Sequence, residues 1–155
     1  MKLHHYQLQL KWTGNQGKGT SSYRAYSRDH EFHFPEKGIV IPGSSDPAFR
    51  GDPTRYNPEE LLVASLASCH MLWFLHLSAE AGVVVLDYTD QPTGEMQESA
   101  EEGGYFVKVT LHPKVQVAQQ DMIEKVDALH HQANKLCFIA NSVNFPVGHE
   151  GETFV

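Results

Sequence analysis

The sequence predicts a single α+β domain spanning residues 1–155. Short segments in which apolar and polar residues alternate are spread along the chain, and two longer segments show the spacing of amphipathic or buried helices. A chain of 155 residues fits one domain and can bury a sufficient core without disulfide bonds. No repeat, linker or low-complexity tract divides it.

The N-terminal part is predicted to be extended. Residues 3–12 alternate, with an apolar face expected to be half-buried. A glycine-rich turn at 13–20 lacks the Walker spacing and opens no helix, so we expect a hairpin turn, followed by a returning strand at 21–26. Residues 30–34 and 38–41 are short extended pieces. A loop of unusual length at 42–56 carries Arg50 and Arg55, and loops this long are often functional.

The first helix is signalled at residue 57. Asn57 is a good N-cap, Pro58 suits the first helical position, and the two glutamates that follow complement the helix dipole. The apolar pattern continues to Ala81, and Gly82 ends it. Small residues at 64–68 precede a cysteine, and apolar residues on nearly all sides from 72 to 77 predict a segment buried all round.

The remaining elements follow the same two periodicities. Strands are expected at 83–88, 91–96 and 105–112, with an acidic turn at 98–104. A second helix is expected from about Asp121 to Cys137. Further strands are expected at 143–145 and 153–155.

The charge balance limits the partners. Lys and Arg number 12 against 19 Asp and Glu, a net charge of −7, which argues against nucleic acid and anionic membranes. The N-terminus has no continuous apolar stretch of the signal-peptide type, and the longest apolar segment, 61–77, is interrupted by serine and histidine. We therefore expect a cytoplasmic protein with reduced thiols and no membrane partner.

Histidine and cysteine offer the candidate chemistry. The adjacent pairs His4-His5 and His130-His131 point to different faces, so the sequence predicts no metal site. Cys69 and His70 diverge on a helix, which argues against a hydrolase pair. The chain has two cysteines, Cys69 and Cys137. They are too few for a disulfide scaffold, and both redox chemistry and simple packing remain open.

Several motifs resemble the OsmC/Ohr family of thiol peroxidases. They are Tyr56-Asn57-Pro58-Glu59-Glu60-Leu61-Leu62, Ala67-Ser68-Cys69 behind it, Leu136-Cys137 at the end of the second helix, and Trp12-Thr13-Gly14 with Gly17-Lys18-Gly19-Thr20 in the first hairpin. The resemblance covers most of the chain. It implies antiparallel sheets packed around two long helices, in an intertwined homodimer with sites at the subunit interface.

The resemblance also implies residue roles. Cys69 is similar to the family's peroxidatic cysteine and Cys137 to its resolving cysteine, while an arginine held by Glu59 keeps the first thiol as thiolate. Arg50 best matches that arginine; Arg24, Arg28 and Arg55 are alternatives. A thiolate is the nucleophile, and burial alone raises a thiol's pKa above its reference of about 8.5, so a cation is chemically necessary.

The implied activity is reduction of an organic hydroperoxide, with an external dithiol as reductant and no cofactor. An apolar rim of Leu66, Trp73 and Phe138 would favour an organic substrate over hydrogen peroxide. In a straight helix Glu59 lies about 15 Å along the axis from Cys69, so a helix bend, a loop or a second subunit must complete the site. The alternative is a non-enzymatic family member that binds small apolar molecules or acts as a redox sensor.

Overall fold

The computed structural model describes residues 2–101 and 103–155. The chain forms two compact units, Met1–Leu61 and Leu62–Val155, whose boundary lies inside the first long helix. The assignment of one domain to residues 1–155 stays a prediction. The mixed α+β class is confirmed.

The first unit is built on a three-stranded antiparallel sheet in the order β1-β2-β3. Its strands are β1 (Gln9–Trp12), β2 (His30–His33) and β3 (Ile41–Gly43). The predicted strand at 3–12 is therefore much shorter, and the predicted strand at 21–26 is wrong, since β1 pairs with β2. The apolar face of β1 is not half-buried either: all four of its residues are exposed in the single chain.

The segment between β1 and β2 is a glycine turn, as predicted. The Asn15 side-chain oxygen accepts hydrogen bonds from the backbone N–H groups of Gly17 and Gly19, at 2.9 and 3.1 Å. Both glycines have positive φ, which a residue without Cβ adopts at little cost. The Trp12 indole N–H donates to the Ser27 carbonyl at 2.8 Å and fixes the returning chain.

The first long helix, α1, covers Pro58–Glu80 as one uninterrupted element. Its N-terminus is a capping box: Glu60 N–H donates to the Asn57 side-chain oxygen at 2.8 Å, and Asn57 N–H donates to the Glu60 carboxylate at 3.2 Å. Gly82, with φ of 71°, follows its C-terminus. Both predicted boundaries are confirmed within one residue.

The second unit contains the rest of α1, two three-stranded sheets and a second helix. The elements are β4 (Val85–Asp90), β5 (Thr93–Ser99), β6 (Gly103–Leu111), β7 (Pro113–Val117), α2 (Ile123–Leu136), β8 (Val147–His149) and β9 (Glu152–Phe154). The strand orders are β4-β7-β9 and β5-β6-β8. The expected antiparallel pairing is confirmed for β4–β7 and β5–β6, and the last two strands add to these sheets in parallel, beside β6 and β7.

Two core clusters hold the second unit together. One gathers Phe74 and Leu77 of α1 with valines of β7 and apolar residues of α2. The other surrounds Leu66 with Val109 and Leu111 of β6. The segment at 72–77 is not buried all round, since Leu72 is 60% exposed in the single chain. The helix thus buries one side of its apolar surface and leaves the other open.

By length and composition alone, α1 is long and apolar enough to cross a membrane. The core helix of a soluble protein meets the same criteria. Leu66, Phe74 and Leu77 lie in the two protein cores, which accounts for the apolar character of this helix.

Candidate active site

The second unit brings the two cysteines together. Cys69 lies in the middle of α1 and is partly buried, while Cys137 is the C-cap of α2 and is 1% exposed. Both thiols are free, and the Cys69 side chain lies near enough to Cys137 to raise the pKa of that thiol. Residues 68 positions apart in the sequence therefore form one site.

The environment of Cys137 keeps its thiol protonated. Burial first, and then the neighbouring Cys69 side chain, raise the pKa of Cys137 from 9.0 to about 11. The Ala140 N–H donates to the Cys137 sulfur at 3.4 Å, which opposes the rise but does not cancel it. Cys137 is therefore held as a protonated thiol beside Cys69.

Aromatic side chains flank the two elements that carry the thiols. Trp73, one helical turn after Cys69, packs edge-to-face on Phe138, which follows Cys137, with ring centroids 5.7 Å apart. Phe138 is 65% exposed, so an apolar surface is open beside the thiol pair. Leu66, expected in this rim, is fully buried in the core against Val109 and Leu111.

The candidate arginines lie in the first unit. A polar pocket of about 290 Å³ is lined by Arg24, Arg28 and Arg50 together with Gln16. Arg28 is already committed, because it donates to the carbonyls of Tyr23 and Tyr26 and lies 4.2 Å from both ring centroids.

Arg50 is exposed at the end of a 3-10 turn, with a left-handed φ of 66°. Among residues 2–101 and 103–155, neither Arg50 nor Arg24 makes an ion pair. Both guanidinium groups are therefore available to an anion.

Glu59 and Arg55 show unmet hydrogen-bonding capacity in the same unit. One carboxylate oxygen of Glu59 and one terminal nitrogen of Arg55 are buried and lack a hydrogen-bond partner among the described residues. The Arg55 Nε lies 3.7 Å from Asp29 and 3.8 Å from Asp52, so this arginine is partly neutralised. A buried carboxylate oxygen without a partner is costly, and Glu59 is therefore suited to accept a hydrogen bond from a cation.

The second unit also gathers histidines that the sequence did not predict to meet. His70 Nε2 and His130 Nδ1 are 2.9 Å apart, and their rings are stacked. Burial is the first cause that lowers the pKa of both groups, of His70 to about 4 and of His130 to about 3. His149 lies beside both rings, and on its other side it approaches Asp127 and His131.

This grouping could not be inferred from adjacent histidine pairs. His130 and His131 do point to different faces, as expected, since one is buried and the other exposed. The available signal was the i, i+4 spacing of Asp127 and His131 on α2, which places both side chains on one helical face. The third partner comes from β8 and required the tertiary fold.

Known proteins resemble this chain in both sequence and fold. The profile of the OsmC-like protein family matches residues 51–150. The fold and the paired thiols define an OsmC-like protein, and this chain belongs to that family. Among proteins with curated descriptions, none matches this sequence.

Solved structures with the same fold cover nearly the whole chain. An OsmC-like protein of unknown function from Vibrio cholerae O1 biovar eltor has 30% sequence identity and a TM-score of 0.85, over 96% of this chain and 99% of that one. An organic hydroperoxide resistance protein OsmC from Legionella pneumophila has 18% identity and a TM-score of 0.69, over 99% and 100%. One from Elizabethkingia anophelis, with thiocyanate bound, has 15% identity and a TM-score of 0.67, over 97% and 96%.

Proposed function

We propose that this protein is a thiol-dependent peroxidase that reduces organic hydroperoxides in the reducing cytoplasm, as a homodimer. The observation that carries the proposal is the proximity of two free thiols, Cys69 and Cys137. Two free thiols in contact are one oxidation step from a disulfide, and a disulfide requires this kind of proximity. Membership of the OsmC-like family supports a peroxide-related role.

The raised pKa of Cys137 supports unequal roles for the thiols. A thiol that keeps its proton is a poor nucleophile, so the attack on the peroxide is assigned to Cys69. Its thiolate attacks the terminal hydroxyl oxygen of the peroxide: an S–O bond forms, the O–O bond breaks, the sulfur is oxidised to sulfenic acid, and the displaced alkoxide takes up a proton and leaves as the alcohol. Cys137 then attacks the Cys69 sulfur, its proton leaves with the hydroxyl as water, and an external dithiol reduces the resulting disulfide.

The cation for this reaction is assigned to Arg50, with Glu59 as its carboxylate partner. This assignment rests on the resemblance and on side-chain availability. Arg28 and Arg55 have partners of their own, whereas Arg50 makes no ion pair among the described residues. Glu59 has a buried oxygen in need of a donor. Arginine is suited to this role because it stays charged when it loses water.

The aromatic pair favours an organic substrate. Trp73 and Phe138 offer an apolar surface next to the thiols, against which an alkyl or aryl group of the peroxide loses water-exposed area. Phe138→Ala is expected to lower kcat/KM for cumene hydroperoxide and to leave that for hydrogen peroxide nearly unchanged. An equal loss for both peroxides would show that Phe138 acts on the thiols and not on the substrate.

The central experiment counts thiols. Reduced protein is treated with one equivalent of cumene hydroperoxide, and free thiols are titrated over minutes. We expect both thiols to disappear together and to return with a dithiol. Retention of both thiols would overturn the proposal. Cys69→Ser abolishes turnover, while Cys137→Ser leaves a sulfenic acid on Cys69 that dimedone traps.

Arginine variants test the cation. Arg50→Ala is expected to slow oxidation of Cys69, and Arg24→Ala, from the same pocket, is the matched control. If Arg24→Ala slows the reaction and Arg50→Ala does not, the assignment moves to Arg24. Arg28→Ala is less informative, because it also removes two backbone hydrogen bonds.

A redox sensor or small-molecule binder is the second candidate function. The observation that favours it is the high pKa of Cys137, since a thiol held protonated attacks a sulfenic acid slowly. Stopped-flow measurement of the thiol oxidation rate separates the two. A rate no faster than that of free cysteine supports the sensor or binder, and a much faster rate supports the peroxidase.

A further inference from the structure

We propose that Asp127, His131 and His149 form a binding site for a divalent transition-metal ion of the zinc class, separate from the thiol pair. The ligand atoms of these three residues all lie within 4.8 Å of one another. Two imidazoles and a carboxylate are a donor set that suits Zn²⁺, Co²⁺, Ni²⁺ and Cu²⁺. The site uses none of the residues assigned to peroxide reduction.

The separations match a coordination site better than hydrogen bonds. His149 Nε2 lies 3.6 Å from one Asp127 oxygen, and His131 Nε2 lies 3.5 Å from the other. A side-chain hydrogen bond to oxygen is usually below about 3.2 Å, so neither contact is one. Bonds of about 2.1 Å to a tetrahedral ion place neighbouring ligand atoms about 3.4 Å apart, close to the separation of each histidine nitrogen from one of the two Asp127 oxygens.

Regular structure supports each ligand. Asp127 and His131 are one turn apart on α2, and His149 ends β8, where it pairs with Leu111 of β6. Asn134 of α2 donates to the Val147 carbonyl of β8 at 2.6 Å and ties the two elements together. Ligands on rigid elements lose little freedom when an ion binds.

Two buried histidines, His70 and His130, lie against the inner ligand, His149. The side chain of His149 is only 9% exposed, and its ring lies 5.2 Å from that of His130 and 5.9 Å from that of His70. Asp127 and His131 are open to solvent, with 80% and 66% of their side chains exposed. The ion would therefore have a fixed inner ligand, two outer ligands and an open position for water.

The chain offers a matched control on α1. His76 and Glu80 form an exposed i, i+4 histidine–carboxylate pair at 3.5 Å, the same separation as His131 and Asp127. No third metal-ligating side chain completes that pair among the residues that the structure describes. A difference in metal binding between the two pairs thus measures the contribution of His149.

The test is titration of chelator-treated, reduced protein with Co²⁺, followed by its visible ligand-field absorption and by competition with Zn²⁺. One ion per chain is expected, without the near-ultraviolet charge-transfer band of thiolate ligands. His131→Ala and His149→Ala are each expected to weaken binding by at least about 100-fold, the upper end of the loss seen when an outer partner of a metal ligand is removed. His76→Ala is expected to bind Co²⁺ as tightly as the unchanged protein does.

Four results would overturn the proposal. Three are the absence of ligand-field bands, a thiolate charge-transfer band that accounts for the bound ion, and bands that persist in His131→Ala. The fourth is an equal loss of binding in His76→Ala, which would identify adventitious surface histidine contacts instead. His131 is exposed, so its replacement leaves folding intact and keeps the test valid even if His149→Ala misfolds.

Discussion

The buried pair His70–His130 makes stability depend on pH in a direction that the structure fixes. Both side chains are almost inaccessible, at 2% and 3% exposure, and share a hydrogen bond. Burial lowers the pKa of His70 to about 4 and that of His130 to about 3, with His149 adding positive charge nearby when it is protonated. The ordinary histidine pKa is 6.5, so the folded state keeps both rings neutral while the unfolded chain takes up protons.

The sign and the size follow from proton linkage. Below pH 6.5 the unfolded state binds more protons than the folded state, so stability falls as the pH is lowered. Each group contributes about 1.36 kcal/mol per pH unit until the pH reaches its folded-state pKa. Between pH 6.5 and pH 5 the pair removes at most about 4 kcal/mol from the free energy of unfolding. That is a large part of the total stability of a domain of this size.

The assay is urea unfolding from pH 7 to pH 5 in EDTA, so that no bound ion contributes. The variant His70→Gln/His130→Gln removes the pair, and His76→Gln removes an exposed histidine from the same helix as a control. We expect the double variant to lose most of the pair's pH dependence and the control to retain it. The reasoning is refuted if the double variant and the unchanged protein show the same slope, or if the ring NMR signals of His70 and His130 titrate between pH 7 and pH 5.

Two further predictions concern the core and the arginine loop. Leu66→Ala is expected to lower the free energy of unfolding in urea by about 2–5 kcal/mol, because removal of a fully buried side chain leaves a cavity. Leu72→Ala, at an exposed position, should cost much less. Equal losses would contradict the assigned burial. A Cβ at Gly51 would overlap the Ser45 carbonyl, so Gly51→Ala should displace the loop beside Arg50 and slow peroxide reduction in a stopped-flow assay. Gly38→Ala meets no atom within 4 Å and should be silent, and an unaffected Gly51→Ala would show that this loop is not needed.

Much of the local structure could be predicted from local signals. The limits of α1 followed from Asn57, Pro58 and Gly82, because capping and chain reversal depend on neighbouring residues. Strand β7 was not predicted, because a segment of five residues cannot be distinguished from a loop when its partner strands are unknown. The last two strands, predicted at 143–145 and 153–155, are displaced to Val147–His149 and Glu152–Phe154, because their pairing with β6 and β7 is parallel and depends on distant residues.

The sequence by itself determined the fold class, the first helix, the family resemblance and the two cysteines as the chemistry to consider. Only the tertiary structure decided that Cys137 lies beside Cys69, that Leu66 lies in the core and not in a substrate rim, and that His149 meets Asp127. The physical reason is the distance along the sequence over which each kind of interaction acts. Periodicity and capping are interactions within a few residues, whereas contact between α1, α2 and β8 is fixed by packing across the whole unit.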